Sequence, residues 1–290
     1  RGVPCGRYTA RRTGTVSSVG YFDTHAHYDD DRFAEEFSIE SNGCHYTGTD
    51  GALRYVHDHG TDYICNVGAS LSSSRMSLTL ADRYPFVYAA VGLHPSDAQR
   101  IAPGMEEDAL REIRDMAAHA KAVAIGEIGL DYHYDDTDRE RQLWFFDHQL
   151  TLAESLGLPV IIHDRDAHGD TFDMLSRHSA RGIIHSCSCS AEMTRQYVGM
   201  GFYISFSGPL TYKNAARVRD ACAAVPPDRL LLETDAPYLP PVPHRGELNH
   251  SDYIPLTAAV MAQLHGVSTE EMLSITRENG CRVYRIRDGL

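Results

Sequence analysis

From residue 21 almost to the end of the chain, short β-branched or apolar runs alternate with segments whose apolar residues recur at helical spacing. The runs predict strands at 21–25, 62–68, 87–91, 123–127, 160–163, 182–185, 202–206 and 230–234, eight in all. Between them, Leu143, Phe146, Leu150 and Ala153 stand at i, i+3, i+7 and i+10 and so share one helix face. A final helix is expected to open on the capping box Ser268-Thr269-Glu270-Glu271 and to stop at Gly280. Eightfold strand–helix alternation implies parallel strands. The economical closure is an α/β single domain, a (β/α)8 TIM barrel with its active site at the C-terminal ends of the strands. An open doubly wound sheet is the alternative, but it would gather ligands at one switch point rather than from strands spread over the whole chain.

Five of the predicted strands end on a side chain able to bind a metal. His25 and His27 flank Ala26, and residues at i and i+2 of a strand project to one face. Asp23, two residues earlier, is placed to orient an imidazole or the strand end. Glu127 closes the apolar run 122–126, where a carboxylate is costly unless a cation or an arginine compensates it. Gly126 and Gly129 beside it favour a close approach of backbone or ligand. His163 and His185 each follow an Ile-Ile pair, and Asp235 follows the run 230–234. In a barrel all these ends meet at one rim. Four imidazoles and two carboxylates suit two ions such as Zn²⁺ or Mn²⁺, whereas Mg²⁺ prefers a more oxygen-rich shell. Such a pair, about 3.5–4 Å apart, activates a water and stabilises a leaving oxygen. His94, at the end of the third strand, is a substrate contact, an extra ligand or a hydrogen-bonded loop pin. His57, His59, His119, His178 and His265 fall in helical or turn segments and are expected to face solvent.

Composition narrows the reading. The net charge of −13 disfavours a broad duplex-binding surface but leaves open a phosphate held by bound cations. Seven cysteines without a paired framework fit reduced thiols in a cytoplasmic protein; Cys187-Ser188-Cys189 lacks a second pair at structural-zinc spacing. No apolar run reaches the length of a membrane span. Residues 1–20, rich in arginine and without an acidic side chain, are expected to be a disordered extension preceding a hydrolase domain at 21–290. The Pro-rich stretch 236–243 directly after the eighth strand is expected to form a rigid active-site loop.

The motifs FDTHAHYDDDRF (22–33), VGLHPSDA (91–98), AIGEIGLDYHY (124–134), ISFSGPLTYKNA (204–215), LLLETDAPYLPP (230–241) and ENGCRVYRI (278–286) resemble those of the TatD-type metal-dependent deoxyribonucleases. This family lies within the amidohydrolase-like barrel superfamily. The resemblance implies that His25, His27 and Asp235 hold one divalent ion (Mg²⁺, Mn²⁺ or Zn²⁺) and His163 and His185 a second, with Glu127 bridging. Asp235 would orient or deprotonate the attacking water. His94, Tyr132, Tyr212 and Arg245 would contact phosphate, sugar or base. The implied substrate is DNA, in single strands or frayed ends, cleaved in a 3′-5′ exonuclease-like manner; no protein partner is implied. This chain departs from the family after His185, where Ser186-Cys187-Ser188-Cys189 replaces the usual Cys-Phe-Ser-Gly, and at Ser96, where a histidine is common. Asn249-His250-Ser251 lacks a proline often found after that Asn, and the stretch 38–61 is longer than usual. An amidohydrolase or esterase acting on a small metabolite is the competing enzyme, and a non-catalytic metal-binding protein the third reading.

Overall fold

The computed structural model describes residues 20–287; the extension expected at 1–20 lies almost entirely outside the described residues. The strands are β1 (Tyr21–Ala26), β2 (Ser38–Ser41), β3 (Cys44–Thr47), β4 (Thr61–Val67), β5 (Val87–Val91), β6 (Ala122–Asp131), β7 (Val160–Arg165), β8 (Gly182–Ile184), β9 (Tyr203–Phe206) and β10 (Leu230–Leu232). Eight of them form one sheet in the order β1-β4-β5-β6-β7-β8-β9-β10, paired in parallel throughout. Each predicted strand is present, and the architecture is the TIM barrel. The added pair β2–β3 is an antiparallel hairpin turning at Asn42 and Gly43, both at positive φ. It fills the long stretch before the second barrel strand.

The barrel closes between β1 and the chain after β10. His27 N donates to Ala236 O at 2.7 Å and Asp235 N to His25 O at 2.9 Å. The buried Asp23 carboxylate accepts from Thr234 N at 3.0 Å, Thr234 Oγ1 at 2.6 Å and Ser251 Oγ at 2.7 Å. Asp23 therefore fastens the strand ends rather than an imidazole. This seam fixes His25, His27 and Asp235 relative to one another before any ligand arrives.

The helices pack outside. Arg139–Leu156 begins where Asp138 caps Arg141 N and ends at Gly157 in the left-handed conformation. It buries Phe145, Phe146 and Leu150 against the sheet, each worth about 1.5–3 kcal/mol of transfer free energy. Inside the barrel, Phe22, Cys65, Ile161, Ile183 and Leu231 form a second core. The last helix, Thr269–Val283, runs through Gly280 instead of stopping there. A Cβ at Gly280 would stand 2.7 Å from Phe22 Cδ1, so this glycine lets the helix press against the barrel floor. Among the described residues no helix is long and apolar enough to cross a membrane.

Candidate metal centre

The alternation of β1 sends His25 and His27 to one side, with their Nε2 atoms 3.1 Å apart. His25 Nε2 lies 3.4 Å from Glu127 Oε2 and 3.6 Å from Asp235 Oδ1. His27 Nε2 lies 3.8 Å and 3.4 Å from the same two oxygens. A tetrahedral shell of nitrogen and oxygen donors has edges of about 3.3 Å, so these four atoms are spaced as ligands of one ion. His27 Nδ1 donates to Val67 O at 2.7 Å, which turns Nε2 toward the group.

The other oxygen of Glu127 belongs to a second group. Oε1 is 2.6 Å from His163 Nδ1 and 3.0 Å from His185 Nε2. His185 is oriented by Glu233, whose Oε1 is 3.1 Å from its Nδ1. Glu233 is held in turn by Ser205 Oγ. On the far side, His163 Nε2 is 3.3 Å from Asp131 Oδ2. Glu127 reaches both groups because β6 shifts register between Ile125 and Ile128, a bulge that re-aims its side chain. Gly126 permits this by lying tight against β7, where a Cβ would come 2.7 Å from Ile161 Cβ.

The electrostatics fit a cation-binding shell. Burial pushes the Glu127 carboxyl up, but His185 and His163 above all hold it well below the usual range. Burial pulls His27 down, yet Asp235 and Glu127 raise it to about 9. His163 is raised to about 9 by Glu127 and Asp131 against the same burial. Without metal, imidazole protons thus supply the positive charge the carboxylates require. Divalent cations on these donors would displace those protons.

His94 stands 3.9 Å from Glu127 Oε1, and its Nδ1 accepts from Ser96 N at 3.2 Å. Accepting at Nδ1 leaves the proton on Nε2, which faces the site. Burial and His163 push His94 down to about 3, so the ring is neutral. It pins the loop and also presents an N–H to the cavity. The other expected substrate contacts lie elsewhere. Tyr132 OH donates to Asp170 Oδ2 at 2.7 Å, Tyr212 OH donates to Pro240 O at 3.0 Å, and Arg245 stacks on Tyr212 at 4.5 Å. None of the three lines the two cavities over the site, of about 400 and 440 Å³.

Arg165 lines both cavities, as does Tyr238 on the Pro-rich loop, and Tyr134 lines the first. Sequence reasoning missed these three together with Asp131 and Glu233. Glu233, a lone carboxylate in the run Leu230-Leu231-Leu232-Glu233, carried a readable signal. The five histidines expected in solvent have partners instead. His57 stacks on Phe86 at 4.0 Å. His59, His119, His178 and His265 bond Tyr55 O, Asp82, Asp147 and Cys222 O respectively.

A parallel barrel that gathers four imidazoles and two carboxylates around shared points on its C-terminal rim defines a metal-dependent hydrolase. More narrowly, the chain belongs to the family of TatD-related DNases, whose model matches residues 22–285. It is 38% identical over 268 residues to the metal-dependent hydrolase YabD of Bacillus subtilis, covering 91% of this chain and 99% of that protein. The crystal structure of the TatD homolog YjjV from Escherichia coli superimposes with a TM-score of 0.82 at 30% identity, over 92% of this chain and 98% of the other. A TatD-family hydrolase structure from Entamoeba histolytica shares the fold at a TM-score of 0.77 and 22% identity, over 92% and 98% of the two chains.

Proposed function

We propose that this protein hydrolyses phosphodiester bonds of DNA, acting exonuclease-like on single strands or frayed ends with two divalent ions. The observation that carries this reading is the division of Glu127, one oxygen to the histidines of β1 and the other to His163 and His185. His25, His27 and Asp235 would hold one ion, His163 and His185 the other, and Glu127 would bridge them. The nitrogen-rich shell favours Zn²⁺ or Mn²⁺ over Mg²⁺. When bound, such a pair supplies positive charge for a phosphate and lowers the pKa of a water.

The chain's own groups do the rest. Asp235 keeps its carboxyl below the ordinary range, because hydrogen bonding from His27 and the charges of His185 and His25 outweigh burial. Its side chain is part-exposed to the cavity, so it can orient a water and accept its proton. His94 offers its Nε2–H to a phosphate oxygen. The exposed Arg165 guanidinium, with Nη1 3.3 Å from Tyr134 OH, is placed to grip a phosphate by two parallel hydrogen bonds. Tyr134 and Tyr238 remain 53% and 46% exposed beside the opening, and their rings offer stacking faces to unpaired bases. A cavity of this size admits a strand end rather than a duplex, in keeping with the acidic chain. The 3′-5′ polarity rests on the family resemblance.

The test sets single-stranded DNA beside an N-acylated amino acid, each with Mn²⁺ or Mg²⁺. Shortening of the DNA, lost in a folded Glu127→Ala variant, is expected. Hydrolysis of the acyl compound alone would transfer the protein to the amidohydrolase reading. Retained DNA cleavage in the variant would remove Glu127 from the mechanism.

A further inference from the structure

Behind the rim, a different set of donors converges where the chain departs from its family. Asp164 follows His163 on β7, so the strand's alternation turns its side chain to the opposite face. There Asp164 Oδ2 lies 2.9 Å from His168 Nδ1, in the first turn of the helix His168–Ser176. Cys189, on the loop after β8, places its Sγ 3.6 Å from that nitrogen and 3.8 Å from that oxygen. A tetrahedral zinc shell sets sulfur about 3.6 Å from nitrogen or oxygen, and nitrogen about 3.3 Å from oxygen. The three observed distances follow this pattern. The buried Cys187, two residues earlier, turns its Sγ to Thr194 Oγ1 at 3.7 Å instead.

A second observation also points to a ligand. The Asp164 side chain is 3% exposed, and its Oδ1 makes no hydrogen bond of normal geometry, although the buried Tyr197 hydroxyl stands nearby. A buried carboxylate oxygen without a well-placed donor is costly. A cation on Asp164, His168 and Cys189 would compensate its charge.

We propose that Asp164, His168 and Cys189 form a separate, thiolate-containing site for a zinc-type cation. Thiolate and imidazole ligands select Zn²⁺ over Mg²⁺ or Ca²⁺, and three protein ligands leave the fourth position of a tetrahedral shell to water. Binding would release the Cys189 thiol proton and tie the loop after β8 to β7. Ser186, Cys187 and Ser188 of that loop line the cavity beside His185. The cation would therefore stiffen one wall of the substrate cavity while standing apart from the rim centre. The sequence alone hid this site, because its nitrogen and oxygen donors come from β7 and the following helix rather than from a second cysteine pair.

Cobalt distinguishes it from the rim centre, whose donors include no sulfur. Titrating the full-length, metal-free, reduced chain with Co²⁺ should produce a thiolate-to-cobalt charge-transfer band in the near ultraviolet. The band should persist in Glu127→Ala and vanish in Cys189→Ser. It should also vanish in His168→Gln, a partly exposed position whose variant is expected to fold. Zinc bound per chain, by elemental analysis after dialysis, should be lower in His168→Gln than in the unmodified protein. Absence of the band at saturating Co²⁺, or its survival at full strength in either cysteine or histidine variant, would overturn the site. That result would leave Asp164 and His168 as a plain ion pair and the proposed nuclease reaction untouched.

Discussion

His250 provides a quantitative test of how the barrel seam responds to acid. It is 3% exposed, its ring 4.0 Å from that of Tyr253 and edge-on to Phe37 and Tyr55. Its Nδ1 has no partner among the described residues. Burial and the nearby His244 push it from 6.5 down to about 3, with Glu247 opposing. The folded protein thus keeps the ring neutral while the open chain takes up a proton below pH 6.5. Stability falls as pH drops through that value and stops falling near the folded pKa. Linkage gives about 2 kcal/mol lost at about pH 5 relative to about pH 7.5. His250→Phe, which suits the aromatic surroundings, should remove that increment and cost under about 1.5 kcal/mol at neutral pH. Urea denaturation of both proteins at the two pH values supplies the comparison. Equal losses of stability in the two would show instead that the ring is already charged in the fold.

Asp23→Ala strands the donors of Thr234 and Ser251 at the closing seam and should cost about 3 kcal/mol or more, read as a lowered denaturation midpoint. Glu233→Gln should leave the fold intact but free the His185 ring, weakening metal binding at that group by about 10–100-fold; calorimetric metal titration checks it. Arg165→Ala should raise KM for a single-stranded oligonucleotide by about tenfold or more, as loss of a charge-assisted phosphate contact implies. Its metal affinity should be unchanged, and a matching loss of metal would reassign Arg165 to the centre itself.

What the sequence made legible depended on how local the signal was. The barrel strands are apolar runs with turn residues between them, and all eight were readable. The β2–β3 hairpin also left a sign in Asn42-Gly43, but its strands are exposed and polar, so no hydrophobic alternation drew attention to it. His25, His27, Glu127, His163, His185 and Asp235 stood out because each interrupts or ends an apolar strand. Side chains defined by a distant partner did not stand out. Asp131 acquires meaning only from His163 on the neighbouring strand, and Glu233 only from His185 two strands away. His178 looked like a surface residue until Asp147, 31 positions earlier, came within 3.0 Å. Arg245 was favoured for following the Pro-rich loop, yet that loop carries it onto Tyr212 and leaves Arg165 over the cavity. Gly280 resembled a helix stop because helix termini favour glycine; close approach to Phe22 is a tertiary demand that local pattern does not show.

In the proposed two-metal centre, Glu127 joins the two histidine groups. Anomalous diffraction from crystals of the full-length protein grown with Mn²⁺ tests it directly. Two peaks about 3.5–4 Å apart are expected, one beside each oxygen of Glu127, the first among His25, His27 and Asp235 and the second between His163 and His185. A single peak at the rim, or two of which only one touches Glu127, would contradict it.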